Sequence, residues 1–339
     1  MKLALDAMGG DFAPQAAVEG ALLALEKTGT DAELVLYGKK EEIEKYLQGK
    51  PYPAGRLSVC DCREEISCEE APATAVRRKK DASLVRCAQA VADKEADCFI
   101  SAGSTGAVLS AGTMIVRRIK GVQRPALGTM IPNLQGGHTL LIDCGANVDS
   151  KSSYLVQFAV MGTVYVRLLT GKEQPIVGLL NNGTEEEKGN LLSKETYPLL
   201  KETEGITFGG NCEARELMSG DFDVIVTDGF AGNVLLKGTE GAAKAITSML
   251  KTELMGSLRG TIGGAIAKPA FAALKKRMDY KEVGGAPLLG VAGGVIKAHG
   301  SSDAKAFMNA ILQAEKLVRT DVPGAIAGCL STQAAGVSE

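Results

Sequence analysis

Six glycine-rich segments of this chain carry polar side chains directly after short apolar stretches. Glycine lets backbone N–H groups come close to a ligand, and open parallel sheets bind ligands beyond the carboxyl ends of their strands. We therefore expect the six segments to line one edge of a sheet and to form one binding site. The segments are 6–11 (DAMGGD), 101–107 (SAGSTGA), 143–149 (DCGANVD), 181–190 (NNGTEEEKGN), 209–215 (GGNCEAR) and 227–233 (TDGFAGN).

Four features within these segments and near the C-terminus suggest particular chemistry. The run 103–106 (GSTG) before an apolar stretch is typical of an anion-binding loop at a helix start, although a plain strand-to-helix turn fits as well. The amide of Asn233 could donate to an oxyanion or merely cap a helix. Lys188 follows three glutamates, so it is either a catalytic cation or part of a solvated charge run. His299 is a candidate polar anchor before the last helix.

Short apolar strands alternate with segments of helical length, and this order predicts an α/β fold with a doubly wound, mostly parallel sheet. The predicted strands are Leu3–Leu5, Leu34–Tyr37, Leu57–Val59, Phe99–Ser101, Thr139–Ile142, Ile176–Leu180, Ile206–Phe208 and Val224–Thr227. The clearest helices are Gln15–Leu25, Ser83–Asp93, Tyr154–Leu169 and Asn233–Lys251. We expect residues 1–320 to form a single domain with two lobes.

The segment 251–282 differs from the rest because apolar residues recur in it at three- and four-residue steps among basic ones. It predicts two amphipathic helices that project from the sheet, with a break near Gly263–Gly264 and Pro269. An ordinary oligomer interface and a membrane-contacting surface both fit this pattern. The tail 321–339 is predicted to be loosely ordered.

Composition excludes several classes of function. The 339 residues include 38 basic and 40 acidic ones, and with 4% aromatic residues and no Trp the chain is a poor nucleic-acid reader. Eight cysteines without a C-x-x-C pair and only two histidines argue against a structural metal. Motifs for dinucleotides, P-loop nucleotides and serine hydrolases are absent, so we expect no cofactor. Without an apolar run of about 18 residues, the sequence predicts a cytoplasmic location.

Taken together, the motifs resemble the phosphate acyltransferases of bacterial phospholipid synthesis over roughly residues 1–320. The matching text is LDAMGGD at 5–11, RRKK at 77–80, SAGxTGA at 101–107, GANVD at 145–149, GTExxKGN at 183–190, NxEAR at 211–215, TDGFxGN at 227–233 and KAHGSSD at 297–303. The chain departs from the family pattern at Ser104, where Asn is usual, and at Cys144 and Cys212, where small aliphatic residues are common. The pair Asp81–Ala82 also replaces a more usual Asn–Ser.

The resemblance implies that an acyl group passes from acyl-acyl carrier protein to inorganic phosphate. It also implies a fold similar to phosphotransacetylases and isopropylmalate-type dehydrogenases, and a homodimer whose 251–282 helices pack across the interface. Those helices would expose an apolar tip to the inner face of the cell membrane, which suggests a peripheral location close to the next acyltransferase of the pathway. Rival interpretations are a short-chain phosphotransacetylase that uses acyl-CoA, a decarboxylating dehydrogenase, and a carrier-protein-binding membrane scaffold without activity.

The chemistry of this transfer asks for a phosphate cradle, a cation and a donor to the developing oxyanion, and no strong base. We assign Lys188 as the cation and Asn233 as the donor. A basic patch at 77–80 or 275–277 is the candidate dock for the acidic carrier protein. Further substrate-binding or positioning residues are predicted to be Asp6, Gly9, Gly10, Gly103, Ser104, Thr105, Gly106, Asp143, Asn147, Asn211, Arg215, Asp228 and His299.

Overall fold

The protein folds around one twisted sheet with helices on both faces. The structure is a computed structural model that describes residues 1–27, 29–278 and 284–336, with side chains at all of these except 275–278 and 332–336. In the described part the sheet has 11 strands in the order β3-β2-β1-β4-β11-β10-β5-β6-β9-β7-β8. The strands are β1 Lys2–Asp6, β2 Glu33–Gly38, β3 Leu57–Asp61, β4 Cys98–Ser101, β5 Ala126–Pro132, β6 His138–Ile142, β7 Ile176–Asn181, β8 Thr207–Glu213, β9 Val224–Val226, β10 Ala286–Leu289 and β11 Gly294–Lys297.

Helices connect most of these strands and confirm the predicted α/β class. They are α1 Gln15–Lys27, α2 Lys40–Leu47, α3 Pro72–Arg78, α4 Ser83–Ala92, α5 Thr105–Ala111, α6 Ser152–Thr170, α7 Leu191–Glu202, α8 Gly229–Met255, α9 Leu258–Met278, α10 Ala304–Arg319 and α11 Val322–Gly336. A π-helical turn, Gly112–Val116, extends α5, and a 3-10 turn, Ala214–Glu216, follows β8.

The two halves of the sheet run in opposite directions. Strands β3, β2, β1, β4 and β11 are mutually parallel, and so are β6, β9, β7 and β8. Between the halves, the pairs β11–β10, β10–β5 and β5–β6 are all antiparallel, and three reversals invert the direction. The expectation that six loops share one edge is therefore wrong. Two loops follow the first half at one edge, and four follow the second half at the opposite edge.

This error has a local cause in the sequence. The eight predicted strands all correspond to observed ones, but the sequence pattern predicts no strand at β5, β10 or β11. Strands β10 and β11 are only four residues long and lie in a glycine-rich segment, so their apolar pattern is weak. Without them and β5, a run of parallel strands was the simplest arrangement.

The core consists of two apolar layers, one on each face of the sheet. Helices α1, α6, α10 and α11 cover one face, where Phe158, Tyr165 and Phe307 are almost fully buried. Helices α4 and α5 cover the other, where Phe99 and Val295 are buried. Burial of apolar area on both faces explains why the strands read as continuous apolar runs.

Two expectations about the last third of the chain need correction. The helical break lies at Gly256–Ser257, and α9 continues through Gly263, Gly264 and Pro269. The hydroxyl of Ser257 accepts a hydrogen bond from the Gly260 N–H at 3.0 Å, which caps the start of α9. The predicted residues 279–282 lie outside the described ones.

The tail also differs from its predicted loose order. From 322 to 336 it forms α11, and 337–339 lie outside the described residues. Val322, Ile326 and Leu330 recur every four residues and are buried against the core. That apolar stripe supplies the burial that orders the helix.

Candidate active site

The carboxyl end of β1 is organised by a buried carboxylate. Asp6 is 2% exposed and accepts hydrogen bonds from the hydroxyls of Ser83 and Ser101, both at 2.6 Å. Burial raises the pKa of Asp6, and the hydrogen bonds from the two serines act in the opposite direction. With both oxygens engaged, Asp6 anchors the loops at this end of the strand.

A lysine is buried in the same row of the sheet. Ser101 pairs in register with Asp6 on one side and with Lys297 on the other, so the three side chains share a face. Lys297 is 8% exposed, and its ammonium donates to the carbonyl of Ala298. Burial lowers its pKa to about 8. An ammonium buried this deeply is costly unless a negative charge accompanies it.

Close backbone approaches link the loops at this edge. A Cβ at Gly9 would come within 2.6 Å of both Asp6 Oδ2 and the nitrogen of Gly103, so glycine is required for the contact. The Asp11 N–H donates to the carbonyl of Gly300 at 2.8 Å, and Gly10 lies against that carbonyl. Ser104 occupies the N-cap position of α5, Thr105 and Gly106 form its first turn, and Gly106 lies against a proline of α3.

At the opposite edge, Asp143 holds the loop after β6. It is fully buried and accepts from the N–H groups of Leu127, Gly145 and Ala146 through Oδ1, and from both nitrogens of Asn147 through Oδ2, at 2.7–3.2 Å. Burial raises its pKa, and these hydrogen bonds lower it. The Asn147 amide also donates to the Pro125 carbonyl at 2.8 Å. Both predicted site residues therefore shape the loop.

Helix α8 begins directly against that loop. The Asp228 carboxylate caps the helix by accepting from the N–H groups of Phe230 and Ala231, each at 2.9 Å. A Cβ at Gly232 would collide with the carbonyl of Asp143, so this glycine lets the first turn pack closely. Asn233 is exposed, and a side chain at Gly145 would lie 3.8 Å from its Cγ. The amide of Asn233 therefore faces the rim of the loop after β6.

One turn further along α8, a lysine reaches the other half of the sheet. Lys237 Nζ lies 3.5 Å from His299 Nε2, in the loop after β11. Burial is the main influence on the pKa of Cys144 and raises it, whereas Lys237 lowers it slightly. This influence places Lys237 near the loop after β6 as well. Residues i and i+4 share a helix face, so Asn233 and Lys237 are neighbours. We call Lys237, Lys297 and His299 the junction cluster, because they join the two halves.

Lys188 lies farther along the second edge, in the loop after β7. Its aliphatic chain packs against Gly183, and among the described residues no carboxylate lies within ion-pair distance of its ammonium. Asn181 and Asn211 hold this loop by donating to the carbonyls of Lys188 and Glu185 at 3.1 and 2.7 Å. Buried Asn211 Oδ1 has no hydrogen-bond partner in the described part of the chain.

The predicted site residues thus divide into groups. Asp6, Gly9, Gly10, Gly103, Ser104, Thr105, Gly106 and His299 lie at the first edge, and Lys188, Asp143, Asn147, Asn211, Asp228 and Asn233 at the second. Arg215 is highly exposed and paired with Glu213.

Sequence reasoning missed Lys237, Lys297, Ser83 and Ser101 as site residues. The available signal was the four-residue spacing of Lys237 from Asn233, and the place of Lys297 in the motif at 297–303.

Two other kinds of chemistry lack support in this region. Cys144 is buried 3.0 Å from the Thr129 hydroxyl, and burial raises the pKa of its thiol to about 12. It is therefore protonated and a poor nucleophile at neutral pH. No cluster of potential metal ligands is found among the described residues.

None of the described helices is long and apolar enough to span a bilayer.

Residues 1–324 match the family model described as "Fatty acid synthesis protein". Phosphate acyltransferases from Clostridium perfringens (strain SM101 / Type A) and Bacillus cereus (strain B4264) are 51% and 49% identical, over 96% and 95% of this chain. Those alignments cover 95% and 96% of the two relatives. The chain belongs to the phosphate acyltransferase family. A third member, from Caldicellulosiruptor bescii, is 48% identical over 95% of this chain and 96% of its own length.

Solved structures agree with the fold. A branched-chain phosphotransacylase from Enterococcus faecalis V583 aligns with a TM-score of 0.58 and 14% identity, over 94% of this chain and 99% of that one. A phosphotransacetylase from Streptococcus pyogenes gives 0.54 and 16%, over 98% and 94%. At this identity the likeness concerns the architecture, and it confirms the phosphotransacetylase-like fold.

Proposed function

We propose that the chain transfers a long-chain acyl group from acyl-acyl carrier protein to inorganic phosphate, giving acyl phosphate for phospholipid synthesis. The observation that carries the proposal is the position of α8. It presents the amide of Asn233 and the ammonium of Lys237 on one face, between the loop after β6 and the loop after β11. Membership of the phosphate acyltransferase family supports phosphate as the acceptor.

The reaction needs little acid–base catalysis. A phosphate oxygen attacks the thioester carbonyl, the carbon–sulfur bond breaks, and the thiolate leaves with the electron pair and is protonated by solvent. Inorganic phosphate is already an anion near neutrality, partly as the dianion, and a thiol with a pKa of about 8.5 is a good leaving group. The main requirement is therefore electrostatic stabilisation of the tetrahedral intermediate.

Asn233 and Lys188 are the groups we assign to that task. The exposed amide of Asn233 would donate to the oxyanion that develops on the thioester carbonyl, a contact worth about 3 kcal/mol in comparable sites. Lys188 would add a positive charge from the loop after β7, the strand that neighbours β9. Lys188 is an exposed residue, so a substrate can reach it.

Apolar side chains beside Asn233 suit an acyl substrate. Phe230 and Val234 are 63% and 57% exposed and lie within one turn of it on α8. Exposed apolar side chains that flank polar groups are typical of ligand-binding surfaces. We assign them to contact with the acyl chain or the pantetheine arm.

A basic surface near the first edge is the proposed dock for carrier protein. Arg77, Arg78 and Lys80 are exposed, and α3, which carries the arginines, contacts α5 where Pro72 lies against Gly106. The carrier protein is acidic as a class, so charge complementarity would steer its approach. The side chains of 275–277, the other predicted dock, lie outside the described residues.

The hairpin of α8 and α9 is the proposed dimer and membrane surface. Large apolar residues on it are exposed, including Leu258 and Ile266 at 79% and 77%. We propose a homodimer that rests peripherally on the inner face of the cell membrane, close to the next acyltransferase. Sedimentation velocity and co-sedimentation with anionic vesicles test both points, and Ile266→Glu should weaken the vesicle binding.

The activity is tested by release of free thiol from palmitoyl-acyl carrier protein with and without phosphate. Acyl phosphate is trapped as hydroxamate, and acetyl-CoA serves as the competing donor. Phosphate-dependent thiol release with stoichiometric hydroxamate supports the proposal. Faster turnover of acetyl-CoA would favour a short-chain phosphotransacetylase, and binding of carrier protein without thiol release would favour a scaffold.

A further inference from the structure

Basic groups are concentrated where α8 meets the end of β11. Lys237 lies 3.5 Å from His299, and Lys297 is buried two positions before that histidine. Burial is the largest cause of the lowered pKa of His299, and the charges of Lys237 and Lys297 lower it further. Burial is also the largest cause of the lowered pKa of Lys297, and Lys237 adds to that shift. Lys297 is buried, whereas Lys237 and His299 are exposed, and the three groups lie close enough to act on one another.

Few negative charges balance them. The carboxylate of Glu240 accepts a hydrogen bond from the ammonium of Lys237 at 2.9 Å. Among the described residues, no other carboxylate lies within ion-pair distance of that ammonium. For Lys297, the described residues place no carboxylate within that distance, since Ser101 stands between it and Asp6. Asp6 already accepts from two serine hydroxyls. A buried positive charge without a partner is unfavourable in the free protein, and a bound anion would offset that cost.

Hydrogen bonds at His299 orient its ring towards such an anion. Nδ1 lies 2.8 Å from the hydroxyl of Ser301 and accepts from the Ser301 backbone N–H at 3.2 Å, and on these two contacts we assign the ring proton to Nε2. Nε2–H and the ammonium of Lys237 are then two donors directed at the same region. Two converging donors suit the oxygens of a tetrahedral oxyanion.

We propose that inorganic phosphate binds at the junction cluster, with Lys237 and His299 donating to its oxygens and Lys297 supplying the buried charge behind them. This inference rests on the proposed function, since phosphate is the acceptor there. It makes Lys237 a further catalytic residue, one turn from Asn233. Lys188 then acts on the thioester oxyanion from the loop after β7.

The test measures phosphate binding without any acyl donor. Isothermal titration with inorganic phosphate gives the dissociation constant for the wild type, Lys237→Gln, Glu240→Gln and Lys45→Gln. Lys45 is an exposed lysine on α2 and is the matched control for loss of one ammonium. We expect Lys237→Gln to weaken phosphate about tenfold or more. We expect Glu240→Gln to tighten it about threefold, because a competing carboxylate is removed.

The outcomes separate this inference from the proposed function. Unchanged phosphate affinity in Lys237→Gln overturns the inference, even if acyl transfer remains phosphate-dependent. Equal weakening in Lys237→Gln and Glu240→Gln also overturns it, because that result indicates a structural ion pair. Opposite shifts in the two variants support the site, even if no acyl donor is turned over. A further outcome concerns sulfate. If sulfate binds the wild type as tightly as phosphate does, and its affinity does not change in Lys237→Gln, the result counts against the proposed phosphate site.

Discussion

Replacing Lys297 by methionine should stabilise the fold while weakening phosphate binding. Methionine keeps an unbranched apolar chain of similar length and removes the charge. Lowering the lysine pKa from 10.5 to about 8 corresponds to about 3 kcal/mol of unfavourable free energy for the charged form at pH 7. Because the variant lacks that cost, its free energy of unfolding should exceed the wild-type value by up to about 3 kcal/mol.

The sign of the pH dependence follows from proton binding. The unfolded chain keeps the ordinary lysine pKa, so above pH 8 it holds more protons at Lys297 than the folded chain does. The unfavourable contribution of Lys297 to the free energy of unfolding of the wild type therefore shrinks as the pH rises, and it vanishes at about pH 10.5. The advantage of Lys297→Met should fall to about 2 kcal/mol at pH 9. Comparing the two proteins at each pH cancels the titration of the buried cysteines.

Urea unfolding followed by circular dichroism measures the difference, since the chain has no Trp for fluorescence. The same samples with added phosphate report affinity, because a ligand of the folded state raises its stability in proportion to the logarithm of its concentration. We expect the wild type to gain more from phosphate than the variant. A variant that is less stable at pH 7, by an amount independent of pH, would refute the reasoning, because Lys297 would then be satisfied within the fold.

Four further variants address the rest of the site. Asn233→Ala should lower kcat about 100-fold with little change in KM for the acyl donor, because a transition-state contact is lost; an unchanged kcat leaves Asn233 as a packing residue. Lys188→Ala should also lower kcat about 100-fold, whereas Tm should stay within a degree, since the side chain is exposed; steady-state kinetics and calorimetry check the two parts. Asp143→Ala should destabilise the fold by about 3 kcal/mol or more in urea, because it leaves buried N–H groups without an acceptor. Reversing Arg77 and Arg78 to glutamate should raise KM for acyl-acyl carrier protein and leave KM for phosphate unchanged; equal effects on both would reject that dock.

Much of the architecture could be predicted from local patterns. The strands β1, β2, β4 and β6 are short apolar runs. Such runs indicate that both faces of the strand are buried, whatever the direction of the strand in the sheet. The glycine-rich segments predicted after β1, β4 and β6 do lie at the ends of those strands, where we propose the site. Asn233 could be chosen because an amide at the end of a glycine-rich segment before a helix is a local feature, but the cap of that helix is Asp228 and not Asn233.

Other features depended on pairs of residues far apart in the chain. The direction of a strand is set by its neighbours, and the antiparallel insertion of β10 and β5 divides the loops between two edges. The anchoring role of Asp6 depends on Ser83 and Ser101, 77 and 95 residues away, whose hydroxyls donate to its two oxygens. The burial of Lys297 is likewise a consequence of the strands on either side of it.

The sequence by itself therefore determined the class of fold, the family and the chemistry that its side chains can perform. Only the tertiary structure decided which of them meet, because Lys237 and His299 are 62 residues apart and come together where α8 approaches the loop after β11. Local patterns report on burial and turns, whereas electrostatic fields depend on distances through space, and those distances exist only once the sheet is assembled.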